Sequence, residues 1–307
     1  MTPIRVGVVG HGHFGKFHAR QYAAHPGAEL IAVVDPAPSA AEAIRSAHGD
    51  IHLADHRDLI GRVDAVSIAA PTALHERIAN ELIDAGIHIL VEKPLCQTAD
   101  AARRLAARAS ERGVVLNVGH IERLSAAYGR LKAEIAAPPL LYDAHRHAPW
   151  LGRILDVDVV LDMMIHDIDL VLDLARSEPV SVSASGVEMM GHGLDAVLAR
   201  VEFANGAVAH ISASRVAPTV SRVMRVVEPA RTLTVDFGAG ALSIFDAADK
   251  SAREEDVPHR DSLRAEIDAF LAAVAGEGEI GVGGDEATRA LELADRIRAA
   301  AVVNTSD

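Results

Sequence analysis

Lys93 stands in the tripeptide Glu92-Lys93-Pro94, directly after the apolar run Ile87–Val91. An ammonium group delivered to the end of a strand can donate to a substrate hydroxyl and stabilise the negative charge that develops on its oxygen. Pro94 admits a cis peptide bond before it. Further along, Val159-Val160-Leu161-Asp162-Met163-Met164-Ile165-His166-Asp167-Ile168-Asp169-Leu170 sets Asp162, His166 and Asp169 in a largely apolar stretch. Steps of four and three put these three side chains on one helical face. Polar groups are costly to bury among aliphatics without partners. A shared polar cleft would supply the partners; a self-satisfied Asp–His pair inside the fold is the competing reading. A neutral imidazole, with an ordinary pKa of about 6.5, suits His166 to general-base work. The chemistry on offer is removal of a hydroxyl proton by His166 while Lys93 stabilises the oxygen and Asp162 orients the hydroxyl or the imidazole.

Such a step needs an acceptor for the electrons, and the N-terminus holds the signature of one. Gly10-His11-Gly12-His13-Phe14-Gly15 has the G-x-G-x-x-G spacing. It follows the apolar run Ile4–Val9 and opens a helical pattern, and Asp35 ends the next apolar run, twenty positions after Gly15. That context marks a dinucleotide site. Gly10 allows the tight turn, Gly12 lets the backbone approach a pyrophosphate, and Gly15 lets the helix pack close to the sheet. The pyrophosphate meets free N–H groups and the positive end of the helix dipole. Asp35 can accept from the adenosine ribose hydroxyls. A 2′-phosphate would face its charge, and Pro36-Ala37-Pro38-Ser39 offers no compensating cation, which favours NAD over NADP.

The elements that must carry these residues follow from periodicity. Ile4–Val9, Leu30–Val34, Ala65–Ala69, Ile87–Val91 and Val114–Val118 read as buried parallel strands. Between them Phe14–Ala24, Ser39–Ala47, Leu74–Ala85 and Thr98–Arg112 read as amphipathic helices, the last started by Thr98 and stopped by Gly113. This alternation predicts an N-terminal Rossmann fold, a doubly wound parallel sheet, over residues 1–120. Beyond it, Ser125–Ala136 and Val159–Leu174 read as helices. Successive β-runs then follow: Val180–Met190, Ala196–Phe203, Ala207–Ser214, Val220–Val227, Arg231–Val235 and Ala241–Ile244, with Asn205-Gly206 as a hairpin turn. Helices return at Ser262–Ala275 and Glu286–Val302. Residues 121–307 therefore read as an α+β domain with a large, mostly antiparallel sheet that binds substrate.

Bulk properties narrow the class. The 307 residues are half hydrophobic, with 3% aromatics, so the cores are aliphatic. A net charge of −13 and the lack of any Lys/Arg run argue against nucleic acid. Cys96 is the only cysteine, so no intrachain disulfide contributes. No window reaches the apolar run of about 20 residues that a membrane helix needs. No signal-peptide pattern opens the chain, and the expectation is a cytoplasmic enzyme without membrane contact.

Together these residues resemble the glucose–fructose oxidoreductase, inositol dehydrogenase and rhizopine catabolism family, written GFO/IDH/MocA, over essentially the whole length. The resemblance rests on Gly10–Gly15, Asp35, Pro71-Thr72-Ala73-Leu74-His75, Glu92-Lys93-Pro94 and the Asp162-x-x-x-His166-x-x-Asp169 stretch. It implies that Lys93, Asp162 and His166 form the catalytic set. It also implies that Pro71, Thr72 and His75 lie near the cofactor, with Glu92 towards the nicotinamide, and His13 and Phe14 in the phosphate loop. The second-domain sheet would serve as the interface of a homodimer or homotetramer. One departure is Met164, where many members have glycine. Asn117-Val118-Gly119-His120-Ile121-Glu122-Arg123 resembles members that oxidise the 3-hydroxyl of a nucleotide-linked amino sugar, which makes His120 and Arg123 candidate substrate contacts.

The expected activity is oxidation of a secondary hydroxyl of a sugar, cyclitol or sugar derivative, with a nucleotide sugar as one alternative. A non-catalytic NAD-dependent sensor and an NAD-dependent glycoside hydrolase are the others. Arg146 and Arg153 could anchor an anionic substrate group or form surface salt bridges, and Asp169 joins the substrate contacts. Histidines cluster at His11, His13 and His18 and at His145 and His147, but no metal is expected, because His11 and His13 lie in the phosphate loop and His145 and His147 alternate on a strand with Arg146 facing the other way.

Overall fold

The computed structural model describes residues 2–152 and 156–303. Two compact units divide the chain: Met1–Gly119 with Leu263–Thr288, and His120–Ser262 with Arg289–Asp307. In the first, β1 (Ile4–Val9), α1 (Gly15–Ala23), β2 (Ala28–Val34), α2 (Pro38–His48), β3 (His52–Leu53), β4 (Ala65–Ile68), α3 (Thr72–Asp84), β5 (His88–Glu92), α4 (Ala99–Arg112) and β6 (Leu116–Gly119) alternate. The strands form one parallel sheet in the order β3-β2-β1-β4-β5-β6. The order reverses between β1 and β4, the place where doubly wound sheets bind ligands at their carboxyl ends. Thr98 Oγ1 accepts from Ala101 N at 3.3 Å to start α4, and Gly113, in the left-handed region at φ +64°, stops it. The short β3 carries too few residues to show a period.

In the second unit α5 (Ala126–Glu134) is capped by Ser125, whose Oγ accepts from Tyr128 N. Then come β7 (Leu141–His147), a π-helical turn (Val160–Met164) that runs into α6 (Ile165–Ala175), β8 (Pro179–Val187), β9 (Ala196–Phe203), β10 (Val208–Ser214), β11 (Ser221–Val227), β12 (Arg231–Asp236), β13 (Ala241–Asp246) and β14 (Ser251–Asp256). After α7 (Ser262–Val274) and α8 (Gly284–Ala300), β15 (Ala301–Val303) completes a nine-stranded sheet in the order β14-β13-β12-β11-β7-β10-β9-β8-β15. Its pairs are antiparallel except β7–β10 and β8–β15. The β9–β10 hairpin turns at Asn205-Gly206, with Gly206 at φ +86°.

Burial explains the alternation. Along β10, Ala209, Ile211 and Ala213 are buried on the side where α6 packs, while His210 and Ser212 lie on the other face. On that outer face Leu198 and Phe245 are exposed.

Three features differ from the sequence reading. The helix expected to reach Val302 ends at Ala300, because Ala301–Val303 pairs with β8. There the β-branched Val302 and Val303 extend a sheet edge. β14 went unexpected because Ser-Ala-Arg-Glu-Glu-Asp has no apolar alternation; charged side chains suit an edge strand, which they guard against further pairing. Finally, α7 contributes to the first unit. Ile267, Phe270 and Leu271 share its core with Val6, Val8, Tyr22, Val33 and Leu90, whereas a division at residue 120 puts this helix in the second domain.

Tyr142 on β7 is fully buried, and its hydroxyl has no hydrogen-bond partner among the described residues. An unpaired buried hydroxyl costs about 1–3 kcal/mol. Tyr142→Phe is therefore expected to raise stability by about 1 kcal/mol in chemical denaturation; a loss of stability would show that the hydroxyl has a partner.

Candidate active site

The loop between β1 and α1 holds three glycines for different reasons. Gly10 sits at φ +93°, and a Cβ there would lie 2.6 Å from the Ala69 carbonyl oxygen. A Cβ on Gly15 would lie 1.9 Å from the Gly10 carbonyl oxygen. A Cβ on Gly12 would meet nothing within 4 Å. The chain's own packing demands the first and third glycines and leaves open space at the second. That open backbone fits a pyrophosphate, which needs close approach without a side chain in between. His13 and Phe14 flank it and are exposed. The first turn of α1 carries no acidic residue, so the partial positive charge at its N-terminus is left for an anion.

Asp35 follows β2 and braces this loop. Its Oδ2 accepts from His11 N at 2.8 Å and its Oδ1 from Ala37 N at 2.9 Å. Each carboxylate oxygen keeps a further lone pair, enough for two vicinal ribose hydroxyls. The residues present thus fit a dinucleotide: Gly12, His13 and Phe14 along the pyrophosphate and Asp35 at the ribose.

At the carboxyl ends of β4 and β5 the contacts are internal. Pro71 and Thr72 open α3. The buried His75 ring sets Nε2 2.8 Å from the Ala70 carbonyl oxygen and Nδ1 3.0 Å from that of Pro94. Burial holds its pKa low. The ring therefore braces the two segments that follow β4 and β5. Glu92 ends β5, buried, and His18 Nε2 donates to its Oε1 at 2.8 Å. His18 Nδ1 lies 3.2 Å from Ser67 Oγ, which is 2.7 Å from the Tyr22 hydroxyl. One set of directions satisfies all three bonds: Tyr22 donates to Ser67, Ser67 to His18, and His18 to Glu92. A Cβ on Gly119 would come within 3.0 Å of Glu92 Oε2. Half-buried Lys93 follows, with a cis peptide bond to Pro94.

In the second unit Asp162 lies in the π-turn and His166 in the first turn of α6, both half-buried. π-turns within helices are rare and often mark functional sites. Asp158 starts the helix: its Oδ1 accepts from Val160 N and Leu161 N, and its Oδ2 accepts from Arg298 Nε at 2.7 Å. Sequence reasoning passed over Asp158, although an aspartate just before an apolar helical run is a capping signal.

The candidate substrate contacts are engaged with carboxylates or are themselves the carboxylates engaged. Asp169, 1% exposed, accepts from Arg123 Nε at 2.7 Å and Nη2 at 2.8 Å, and His120 Nδ1 lies 3.8 Å from it. Arg146 is buried too. Its Nε and Nη2 reach Asp167 at 3.1 and 3.0 Å, and Nη1 reaches Glu122 at 3.1 Å. Burial opposes its charge, but Asp167 and Glu122 outweigh burial and raise its pKa. The surface pairing open to Arg146 in the sequence is replaced by a buried one, because β7 turns Arg146 to the same side as buried Tyr142 and Ala144. Arg153 lies outside the described residues. His145 and His147 occupy the other side of β7, against Ser221 and Ser212.

A family model described as "Oxidoreductase family, NAD-binding Rossmann fold" matches residues 4–120, and the GFO/IDH/MocA C-terminal domain matches residues 118–242. UDP-N-acetylglucosamine 3-dehydrogenase of Acidithiobacillus ferrooxidans is 37% identical over 98% of both chains, and its solved structure superposes with a TM-score of 0.92. Inositol 2-dehydrogenase of Rhizobium meliloti is 27% identical over 95% of both chains.

Gly12→Ala should keep the wild-type melting temperature while weakening NADH binding at least about tenfold in a fluorescence titration, equivalent to about 1.4 kcal/mol. Gly15→Ala should unfold the first unit, and equal stability of the two variants would contradict the division of labour. Asp169→Asn removes the carboxylate that Arg123 grips at 2.7 and 2.8 Å and leaves it only Asp173, 3.7 Å from Nη1, and breaking a buried pair costs up to about 3–5 kcal/mol. It should lower the melting temperature without any ligand; unchanged stability would return Asp169 to a direct substrate role.

Proposed function

The chain belongs to the GFO/IDH/MocA oxidoreductase family, and we propose that it oxidises the 3-hydroxyl of a nucleotide-linked amino sugar of the UDP-N-acetylglucosamine class, with NAD as acceptor. The observation that carries this reading is the full-length likeness to the Acidithiobacillus enzyme. The 117–123 stretch, with its resemblance to members acting on nucleotide-linked amino sugars, supports it. A second reading, a free cyclitol as substrate, draws on the likeness to inositol 2-dehydrogenase.

When bound, NAD supplies the acceptor for the hydride that leaves the substrate carbon. The chain's residues supply the rest. Gly10, Gly12 and Gly15 keep the loop low enough for the pyrophosphate, and His13, Phe14, Pro71 and Thr72 border it. Asp35 accepts from the ribose hydroxyls and repels a 2′-phosphate. His166 accepts the proton of the substrate hydroxyl, Lys93 donates to the oxygen as it becomes negative, and Asp162 orients the hydroxyl or the imidazole. His120 and Arg123 contact the sugar derivative. Arg146 and Asp169 act on it only through the groups they hold.

NADH formation from UDP-N-acetylglucosamine, free N-acetylglucosamine and myo-inositol, each with NAD and NADP, tests the reading. Turnover is expected with the nucleotide sugar and NAD. Turnover with inositol alone would favour the second reading. NAD binding without turnover would favour a sensor, and aglycone release without net NADH a redox-assisted hydrolase. Lys93→Ala and His166→Ala should each lower kcat by about 100-fold or more. Asp35→Ser should raise NADP use relative to NAD.

We place the enzyme in the cytoplasm, as a homodimer or homotetramer through the outer face of the nine-stranded sheet. Among the described residues no helix is long and apolar enough to cross a membrane. Exposed Leu198 and Phe245 on that face supply apolar surface for such an interface. Only a monomer mass by light scattering would remove the oligomer.

A further inference from the structure

Glu266 lies on α7, 1% exposed, among the core residues of the first unit. One ligating atom each from Glu266, Glu92 and His18 all fall within 4.8 Å of one another. Glu266 Oε2 has no hydrogen-bond partner among the described residues. The titratable groups around it are His18 and Tyr22 of α1 and Glu92 of β5, with Lys93 and His75 acting on Glu92.

Two ionised carboxylates cannot share so small and dry a space without a cation for each. His18 brings at most one positive charge, and its Nε2 donates to Glu92. Glu92 is also near the Lys93 ammonium, whereas the groups acting on Glu266 are burial and the Glu92 carboxylate. The geometry therefore assigns the shared proton. We propose that Glu266 is a neutral carboxylic acid that acts as a positioning residue, turning its proton towards the Glu92 carboxylate directly or through one bridging water.

The consequence falls on the corner that presents Lys93. Glu92 is then held by His18 on one side and the Glu266 acid on another, with Gly119 leaving room for Oε2. Lys93 is the next residue, so the direction of its backbone depends on where Glu92 is fixed. Burial and the Glu92 carboxylate both push the Glu266 pKa well above the ordinary carboxylate range. The folded chain thus retains a proton that the unfolded chain releases above about pH 4.3. The sign follows: stability contributed by this proton is present at low pH and lost as pH rises towards the folded-state pKa.

This inference rests on the proposed role of Lys93, so the test includes readouts that need no substrate. The infrared spectrum of the wild type minus that of Glu266→Gln should show the carbonyl band of a protonated carboxylic acid. The melting temperature of Glu266→Gln, which mimics the neutral acid, should gain on the wild type between pH 5 and pH 8. In turnover, Glu266→Leu should lower kcat about tenfold with the KM for NAD unchanged, and Glu266→Gln should restore it. Should Glu266→Leu not fold, the infrared band and the pH series decide alone. A missing acid band, a wild type that gains on Glu266→Gln as pH rises, or one equivalent of metal lost in Glu266→Gln would overturn the inference. Wild-type inactivity towards nucleotide sugars would remove the proposed reaction and leave the band and the pH series untouched.

Discussion

Ionisable side chains in both units are taken out of water, and the free energy of that desolvation sets the terms for what surrounds them. An uncompensated buried charge costs several kcal/mol, comparable to the whole stability of a domain. The second unit meets this constraint by pairing its guanidinium groups: Arg146 with Asp167 and Glu122, Arg123 with Asp169, and Arg215 with Asp195 and the carbonyl oxygens of Val157 and His192. The first unit meets it with a hydrogen-bonded line from Tyr22 through Ser67 and His18 to Glu92. Each arrangement fixes backbone as well as side chains, because a pair broken by a small shift is strongly unfavourable.

That fixing reaches the residues proposed to do the chemistry. Lys93 follows a glutamate held by a buried imidazole. Asp162 and His166 follow Asp158, which ties the first N–H groups of their helix to Arg298 of α8. Between Asp162 and His166 the π-turn widens the helix, so the angle between the two side chains differs from that of an unbroken α-helix. The half-buried groups stand on supports that are themselves buried or paired, as a site requiring close geometric tolerance must.

Much of this was readable in the sequence where the cause is local. The roles of Gly10, Gly12 and Gly15 follow from backbone sterics, Thr98 and Gly113 from capping, and the strand runs from burial on both faces. What could not be read depends on which side chains meet. Arg123 and Asp169 looked like two separate substrate contacts, and only tertiary structure makes them partners. Arg146 looked like a substrate anchor or a surface salt-bridge former, because nothing near it in sequence tells which face of β7 is covered. The π-turn leaves the apolar pattern of Val159–Leu170 almost unchanged, and β14 has no pattern to read. Glu266 was invisible as a site because one glutamate on an amphipathic helix is ordinary until its neighbours are known.

The contribution of α7 to the first core has a consequence for how the chain is made. Val6 and Val8 leave the ribosome long before Ile267, Phe270 and Leu271, which complete the cluster around them. The sheet of the second unit likewise takes an edge strand, β15, from beyond α8. Neither core can be finished while its N-terminal part is being synthesised. The nascent protein must hold apolar surface open until these later segments are made, and a product truncated before them would leave it exposed to aggregation and proteolysis.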